Sequence, residues 1–148
     1  MQFSDWPKEV QAKTTMVKKQ TKKEREKEFK KNERRLWKEA RQEVLDRDKV
    51  CLLCGSKKGD TYLNKKGKVV KVKLDVHHLL EKEFIIFRYL KFDERNLVTL
   101  CPKCHKFGEF SIHRNPLYAL DVIKKKLPEN YEFLLKEVKT LWQRKKLN

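Results

Sequence analysis

Two pairs of cysteines with the same spacing constrain the fold of this chain more than any other feature. Cys51 and Cys54 form the first pair, and Cys101 and Cys104 form the second. Each pair encloses two residues, a spacing that lets a tight knuckle point both sulfurs at one metal ion. Four such thiolates are typical of structural zinc in an intracellular protein, where disulfides are rare. A redox dithiol is the alternative, but it needs only one pair. The sequence therefore predicts a structural Zn²⁺ site.

Basic residues are in excess along most of the chain, and the formal net charge is +17. Residues 8–35 alone carry twelve Lys and Arg against five Asp and Glu, and the excess continues through 51–113 and 114–148. A surface of this kind binds polyanions and releases their counterions. We expect DNA to be the partner, contacted at its backbone. A purely solubilising surface and ribosomal-type contact with RNA are the alternatives.

The sequence shows no sign of a membrane partner. No apolar run approaches the ~20 residues that a membrane span requires, and the first residues lack the pattern of a secretory signal. We expect a cytoplasmic protein, in a bacterium or in a phage-infected cell. The length of 148 residues fits one domain with a modest core and leaves the oligomeric state open.

Residues 1–35 are predicted to be a basic extension, weakly ordered up to residue 20. From Thr21 to about Arg47 the chain is rich in Lys, Glu and Arg without Gly or Pro, which favours a helix. The first half of this helix is either a solvated face or a surface that grips DNA. Its second half carries an apolar stripe that we expect to dock on the domain. The stripe consists of Leu36, Ala40 and Val44, flanked by Trp37 and Leu45.

Residues 36–115 are predicted to form the central domain. A β-hairpin is expected after the first knuckle, with its turn at Lys65-Lys66-Gly67 and a strand whose apolar positions run from Val69 to Val76. Residues 82–95 are either a short helix or a closing loop, and 96–101 are a short strand. A helix begins at the second knuckle, and Gly108 weakens it or ends it early.

Residues 116–148 are predicted to form helices that pack on this core. Asn115 is placed to cap a helix that Pro116 opens and that runs to about Lys126. Pro128 opens the last helix. The fold class is therefore α+β, with a small zinc-stabilised core between N-terminal and C-terminal helical extensions.

All four histidines lie between residues 77 and 113, around the predicted zinc-held unit. Hydrolysis of a phosphodiester needs a divalent ion to stabilise negative charge, and a base with a near-neutral pKa. His77 and His78 at the end of a strand are able to supply a metal ligand and a base. His105, directly after Cys104, is able to supply a second ligand from the following helix. Zinc would then be the scaffold, and a second ion the catalyst.

These residues resemble the HNH (ββα-metal) nuclease superfamily, in its four-cysteine zinc-binding branch. The resemblance rests on the two knuckles, on DVHHLL, on NLVTLCPKCH and on the lead-in VLDRDKVCLLCG. It covers about residues 36–115 and implies a treble-clef-like core and a metal-dependent DNA endonuclease of low sequence specificity. By the family pattern, His77 and His105 are ligands of the catalytic metal and His78 is the general base. Asn96 is the asparagine that shapes the loop between the strands.

The segment after His105 departs from some relatives, which carry a further histidine four residues on. This chain has Glu109 there, a carboxylate that is also able to bind a divalent ion. The segment FSIHRNPLYALDVIKKKLPENYEFLL is similar to the tail of phage-encoded recombination nucleases, and on that resemblance His113 binds the metal or contacts the scissile phosphate. The resemblance implies Mg²⁺ as the catalytic ion, although imidazoles also accept Mn²⁺, Ni²⁺ or Zn²⁺. A non-catalytic zinc-binding module that grips nucleic acid is the alternative function.

Overall fold

The structure is a computed structural model and describes residues 21–64, 66–80 and 85–146. It is α+β, which confirms the predicted fold class. Short 3₁₀ helices at Ile85–Leu90 and Glu94–Asn96 precede the last strand, and a π-helical turn at Lys103–Phe107 follows it. The helices are α1 (Lys22–Asp48), α2 (Pro116–Lys126) and α3 (Pro128–Lys146), and the strands are β1 (Thr61–Leu63), β2 (Val69–Lys71), β3 (Asp75–His78) and β4 (Leu97–Leu100). The weak order predicted for residues 1–20 lies outside the described residues, as does Lys65 of the predicted turn.

Contacts divide the chain into two compact units, one that ends at Arg35 and one that begins at Leu36. The described part of the first unit is the N-terminal portion of α1. Thr21 and Glu24 start this helix with a capping box, because each side chain accepts a hydrogen bond from the backbone N–H of the other, at 2.8 and 3.2 Å. The three-part division inferred from the sequence stays a prediction.

In the second unit, the C-terminal part of α1 packs on one face of a two-stranded sheet. Ala40 and Val44 are buried against Val76 and Leu97, with Trp37 packed beside them. The predicted docking stripe is therefore correct for Ala40 and Val44. It was wrong for Leu36, which stays 38% exposed, because the docked face runs through Trp37, one position further along the helix.

The predicted strand from Val69 to Val76 was wrong as a single strand. β2 pairs antiparallel with β1, while β3 pairs antiparallel with β4, from Asp75 opposite Leu100 to His78 opposite Leu97. The buried Val72 still exchanges backbone hydrogen bonds with Gly59 and Asp60, just before β1. After Val72 the chain leaves this hairpin, and β3 begins at Asp75 beside β4.

A second core lies between the knuckles, β4 and α2. Its fully buried members include Cys51, Val98 and Leu100, together with Ala119 and Ile123 on one face of α2. The caps predicted from the sequence are confirmed: the Asn115 side chain accepts a hydrogen bond from the Tyr118 N–H, and Pro116 and Pro128 each open a helix. None of the helices in the described residues is both long and apolar enough to cross a membrane.

The C-terminal helix α3 is tied to the segment that connects β3 and β4. The Arg95 guanidinium lies 3.5 Å from the centre of the Phe133 ring, and the Asn130 side-chain amide donates to the Arg95 carbonyl at 3.3 Å. The Tyr89 hydroxyl donates to the Glu137 carboxylate at 2.5 Å. These contacts hold the connecting segment, which in turn contacts His78 through the Lys91 carbonyl.

Candidate active site

The four cysteines come together at one place, as the spacing predicts. Their sulfur atoms all lie within 4.8 Å of one another, and the sulfurs of Cys54 and Cys101 are 3.7 Å apart. Four sulfurs bound to one ion at the usual Zn–S distance of about 2.3 Å stand about 3.8 Å apart. The donor set and its spacing therefore fit a tetrahedral zinc ion.

Each knuckle is shaped by backbone hydrogen bonds around its cysteines. In the first, the N–H of Gly55 donates to the Cys51 carbonyl, and the N–H of Cys51 donates to the Ser56 carbonyl, both at 2.8 Å. Gly55 has a φ of +76°, a conformation that glycine adopts without strain. In the second knuckle, the N–H of Cys104 donates to the Cys101 sulfur at 3.5 Å. A sulfur that accepts such a bond is stabilised as a thiolate.

The crowded thiols affect one another's ionisation. Hydrogen bonds from Cys101 and Cys104 hold the pKa of Cys51 far below its ordinary value. Hydrogen bonds with Cys101 and Cys51 raise the pKa of Cys104 well above its ordinary value. The first thiolate thus opposes the ionisation of its neighbours. A divalent cation between the sulfurs removes this opposition, so the cluster is suited to a metal.

A second cluster brings together three of the four histidines, on three separate elements. His77 lies on β3, His105 in the π-helical turn and His113 in the turn before α2, and one ring nitrogen of each lies within 4.8 Å of the others. Nδ1 of His77 and Nε2 of His105 are 3.1 Å apart. Glu109 is not part of this group among the described residues, and its side chain is exposed.

Burial sets the charge of these imidazoles. Desolvation, together with the neighbouring His105 and His113, lowers the pKa of His77 to about 3. Desolvation also lowers the pKa of His105. Both rings are therefore neutral at physiological pH, and neutral imidazole is the form that binds a metal.

The zinc knuckle and the histidine cluster share one short segment of backbone. His105 follows Cys104 directly, and the Cys104 carbonyl accepts a hydrogen bond from the Ile112 N–H at 2.9 Å, which places His113 next to the knuckle. Gly108 ends the turn between them, as predicted, by donating its N–H to the Lys103 carbonyl at 2.7 Å. The knuckle thus fixes the positions of two of the three histidines.

His78 lies on the opposite side of β3 from His77, because neighbouring residues of a strand alternate. Its Nε2 is 2.9 Å from the Lys91 carbonyl oxygen, and its ring stacks on Trp37 with 5.0 Å between ring centres. A carbonyl only accepts hydrogen bonds, so Nε2 carries the proton and Nδ1 of the neutral ring does not. His78 is therefore held in one tautomer at the end of the strand.

Asn96 is completely buried and closes the loop between β3 and β4. Its side-chain oxygen accepts from the Leu80 N–H at 2.7 Å, and its amide donates to the carbonyls of Leu80 and Leu90 at 3.1 and 3.2 Å. Leu90 immediately precedes Lys91, whose carbonyl holds His78. Through these bonds Asn96 ties the β3–β4 loop to the segment that holds His78.

Sequence reasoning missed two contacts of the site. It assigned Trp37 to the flank of an apolar stripe, whereas the indole stacks on His78. It assigned nothing to Lys91, because the atom involved is a backbone carbonyl that every residue carries. Trp37, Ala40 and Val44 lie three and four residues apart, on one face of the helix. This spacing was the available signal for the contact between Trp37 and His78.

Comparison with known families agrees with this geometry. Residues 51–107 match the sequence model of the HNH endonuclease family. The matched segment contains both knuckles, His77, His78 and His105, and it ends before His113. No significant match was found among curated proteins or among solved structures.

Proposed function

We propose that this chain is a metal-dependent endonuclease that hydrolyses DNA phosphodiester bonds with low sequence specificity. The observation that carries the proposal is the convergence of His77, His105 and His113. The first two lie in the segment that matches HNH endonucleases, and His113 lies just after it. His78 is held at the same end of β3 as His77. Nuclease activity on nucleic acid is what the family match supports directly. The choice of DNA and the roles of single residues are the proposal.

The two clusters are proposed to hold ions of different function. The four cysteines hold structural zinc, and His77, His105 and His113 hold the catalytic ion, which is Mg²⁺ or another divalent ion. When bound, a divalent ion at the histidines supplies positive charge that stabilises the phosphate and the departing 3′-oxygen. A donor set of imidazoles without a carboxylate suits Mn²⁺, Ni²⁺ or Zn²⁺ better than Mg²⁺, so these ions should bind there at lower concentration.

His78 is proposed to be the general base. Its Nε2–H is held by the Lys91 carbonyl, so Nδ1 is the atom that accepts a proton from the attacking water. As the proton leaves, the water oxygen bonds to phosphorus and the bond to the 3′-oxygen breaks. The Lys91 carbonyl stabilises the resulting imidazolium, and the stacked indole of Trp37 keeps the ring from rotating.

Low sequence specificity follows from the kind of contact that the charge favours. Lysine and arginine bind phosphates, and phosphate contacts position DNA without reading its bases. The proposed biological role is the processing of phage or bacterial DNA in the cytoplasm, for example in recombination. This role is supported only by the resemblance of the C-terminal segment to phage recombination nucleases. We propose it on that basis.

A non-catalytic zinc module that grips nucleic acid is the competing function. It accounts for the four cysteines and for the net charge of +17 equally well. It gives no reason for three imidazoles to converge on one point, or for a fourth to be held in one tautomer at the end of the same strand.

Nicking of supercoiled plasmid by the full chain distinguishes the two functions. We expect the parent to nick the plasmid with added Mn²⁺, Ni²⁺ or Mg²⁺. In His78→Ala the nicking rate should fall by about 10²- to 10⁴-fold. His105→Ala should lose both nicking and ion binding. Glu109→Gln is the matched control: it removes a carboxylate four residues from His105 and should cut at the parent rate. DNA binding without nicking under any of these ions would establish the non-catalytic module. A His78→Ala protein that cuts at the parent rate would show that the base is another group.

A further inference from the structure

Two exposed aromatic side chains lie in the segment that carries the histidines, and the proposed chemistry uses neither. Phe110 is 63% exposed and Tyr118 is 44% exposed. Their ring centres are 5.7 Å apart and the rings are inclined by 63°. Together with Lys103 and three of the four clustered cysteines, Cys54, Cys101 and Cys104, they line an open cavity of about 280 Å³. A base stacked on the pair would therefore lie beside the second knuckle, which His105 directly follows.

Further exposed apolar side chains lie in the same segment. Phe107 and Leu117 are 62% and 80% exposed, respectively, so four large apolar side chains of residues 107–118 face solvent. Exposed apolar side chains that lie together usually mark a binding surface, and Phe110 and Tyr118 are in contact. The question is which partner this surface binds.

Charge within the same segment points to nucleic acid. Lys103, Lys106 and Arg114 are exposed and lie in the same stretch of chain as the aromatic residues, before and between them. An apolar protein partner would leave these cations unmatched, whereas a nucleic-acid strand offers phosphates to the cations and base faces to the rings. Aromatic rings that interleave with basic side chains are the usual platform for single-stranded nucleic acid.

The platform is close to the proposed cleavage site. Phe110 is three residues from His113, so their Cα atoms are at most about 11 Å apart. Successive nucleotides of a stacked strand rise by about 3.4 Å. Each side chain adds about 5 Å to this separation, so a base on Phe110 lies within about six nucleotides of a phosphate at the histidine cluster.

We infer that Phe110 and Tyr118 hold one unstacked base of the strand being cut, and that the substrate class is DNA with unpaired bases. The inference rests on the proposed endonuclease function and specifies its substrate. In a duplex both faces of a base are covered by its neighbours, and exposing one face requires the base to leave the stack. An unpaired strand presents that face without this penalty and binds correspondingly better.

The test compares cleavage of one sequence as a single strand and as a duplex, in the full chain with its metals. We expect the parent to prefer the single strand, and Phe110→Leu, which keeps an apolar side chain without a π face, to reduce the single-strand to duplex ratio by about 5- to 100-fold. Phe110→Tyr should retain the ratio. Trp142→Leu is the matched control, because Trp142 is 62% exposed, lies on α3 outside residues 103–118, and should not affect the ratio.

Photochemical cross-linking gives a readout that does not depend on cleavage. A single strand that carries 5-iodouracil near the cut position should cross-link to Phe110 or Tyr118, as mapped by peptide mass spectrometry, and much less in the duplex. A Phe110→Leu ratio equal to that of the parent, or cross-links only outside residues 103–118, would overturn the inference. A chain that cuts neither form of DNA but gives the expected cross-link would contradict the endonuclease function and not the platform.

Discussion

At the scale of single residues, the site is organised by the alternation of one short strand. His77 and His78 are neighbours in β3, yet His77 joins His105 and His113 while His78 stacks on Trp37. The two adjacent histidine side chains thus lie in two different environments. One imidazole is desolvated and stays neutral for a metal, and the other is oriented by a carbonyl.

Trp37 is expected to position His78 through the stacked rings. In Trp37→Leu, the imidazole gains rotational freedom around its single hydrogen bond, and turnover at saturating DNA should fall by about 10- to 100-fold. Trp37→Phe keeps an aromatic ring and should restore most of the rate. The measurement is kcat and KM for plasmid nicking, with thermal unfolding recorded in parallel. A loss of rate that merely follows a loss of folded protein would contradict a positioning role.

Asn96 is expected to contribute more to stability than any other side-chain amide of the described residues. Asn96→Ala leaves an N–H and two carbonyls of the β3–β4 loop without their partner, and should lower the free energy of unfolding by roughly 3 kcal/mol or more. Asn64→Ala is the matched control. Its oxygen also accepts two backbone hydrogen bonds, from Lys66 and Lys68 at 2.9 and 3.0 Å, but in an exposed turn. Urea unfolding measures both, and equal losses would argue against a structural role for Asn96.

At the scale of elements, the π-helical turn joins the two clusters. It begins within the second knuckle, carries His105 and ends at Gly108, five residues after Lys103. The extra residue per turn relative to an α-helix lets the chain reverse within a few residues, so that Ile112 returns to the Cys104 carbonyl. His113 reaches the cluster because of this reversal.

Gly108 is expected to be required by close packing and not by an unusual backbone angle. Its φ is −80°, but a Cβ atom at this position would lie 2.7 Å from the Lys103 carbonyl oxygen. Gly108→Ala should therefore destabilise the fold by about 1–3 kcal/mol and weaken Mn²⁺ binding at the histidines, as measured by calorimetric titration. Glu109→Ala, one exposed position further on, should change neither quantity. Parent-like Mn²⁺ affinity in Gly108→Ala would show that the turn does not position His105 and His113.

The elements also show what the sequence predicts and what it does not. Helix caps, knuckles and β4 are encoded by residues close to one another in the chain, and they were predicted correctly. The partner of a strand is not local, so the apolar run from Val69 to Val76 looked continuous although its two ends pair with different strands. The Lys91 carbonyl and the stack on Trp37 depend on tertiary packing as well. The gathering of His113 with His77 agrees with the resemblance, while the role of each histidine stays a prediction.

At the scale of the whole molecule, the cysteine cluster is expected to be required for folding. Structural zinc contributes about 10–16 kcal/mol in small metal-folded domains, more than most domains have in total stability. Cys51 and Cys101 are buried members of the same core as Ile123, so that loss of the ion exposes α2 as well. Cys101→Ser, or removal of zinc by a strong chelator, should abolish the cooperative thermal transition seen by circular dichroism. His77→Ala is the control, because it alters only the histidine cluster and should keep both one zinc ion per chain and the cooperative thermal transition. Retained thermal stability in Cys101→Ser would contradict structural zinc.

The distribution of charge leads to a prediction about how the whole chain binds DNA. The described part of the first unit, residues 21–35, is mostly exposed and basic, and such a helix is either a solvated face or a DNA-binding surface. If it contacts phosphates, the logarithm of the binding constant should fall linearly with the logarithm of the salt concentration, with a slope of about −0.9 for each contact. Five contacts would give roughly 500-fold weaker binding at 200 mM than at 50 mM salt.

The double substitution of Lys30→Gln and Lys31→Gln tests which reading of the first unit is correct. Both lysines are exposed in α1, and each phosphate contact that is lost should reduce the slope by about 1. The measurement is fluorescence anisotropy of labelled duplex and single-stranded DNA across a salt series. Lys57→Gln with Lys58→Gln, also exposed, is the matched control for net charge, because it removes the same charge from the second unit. A slope that changes equally in both double variants would show a diffuse effect of net charge, and the first unit would then be a solvated face.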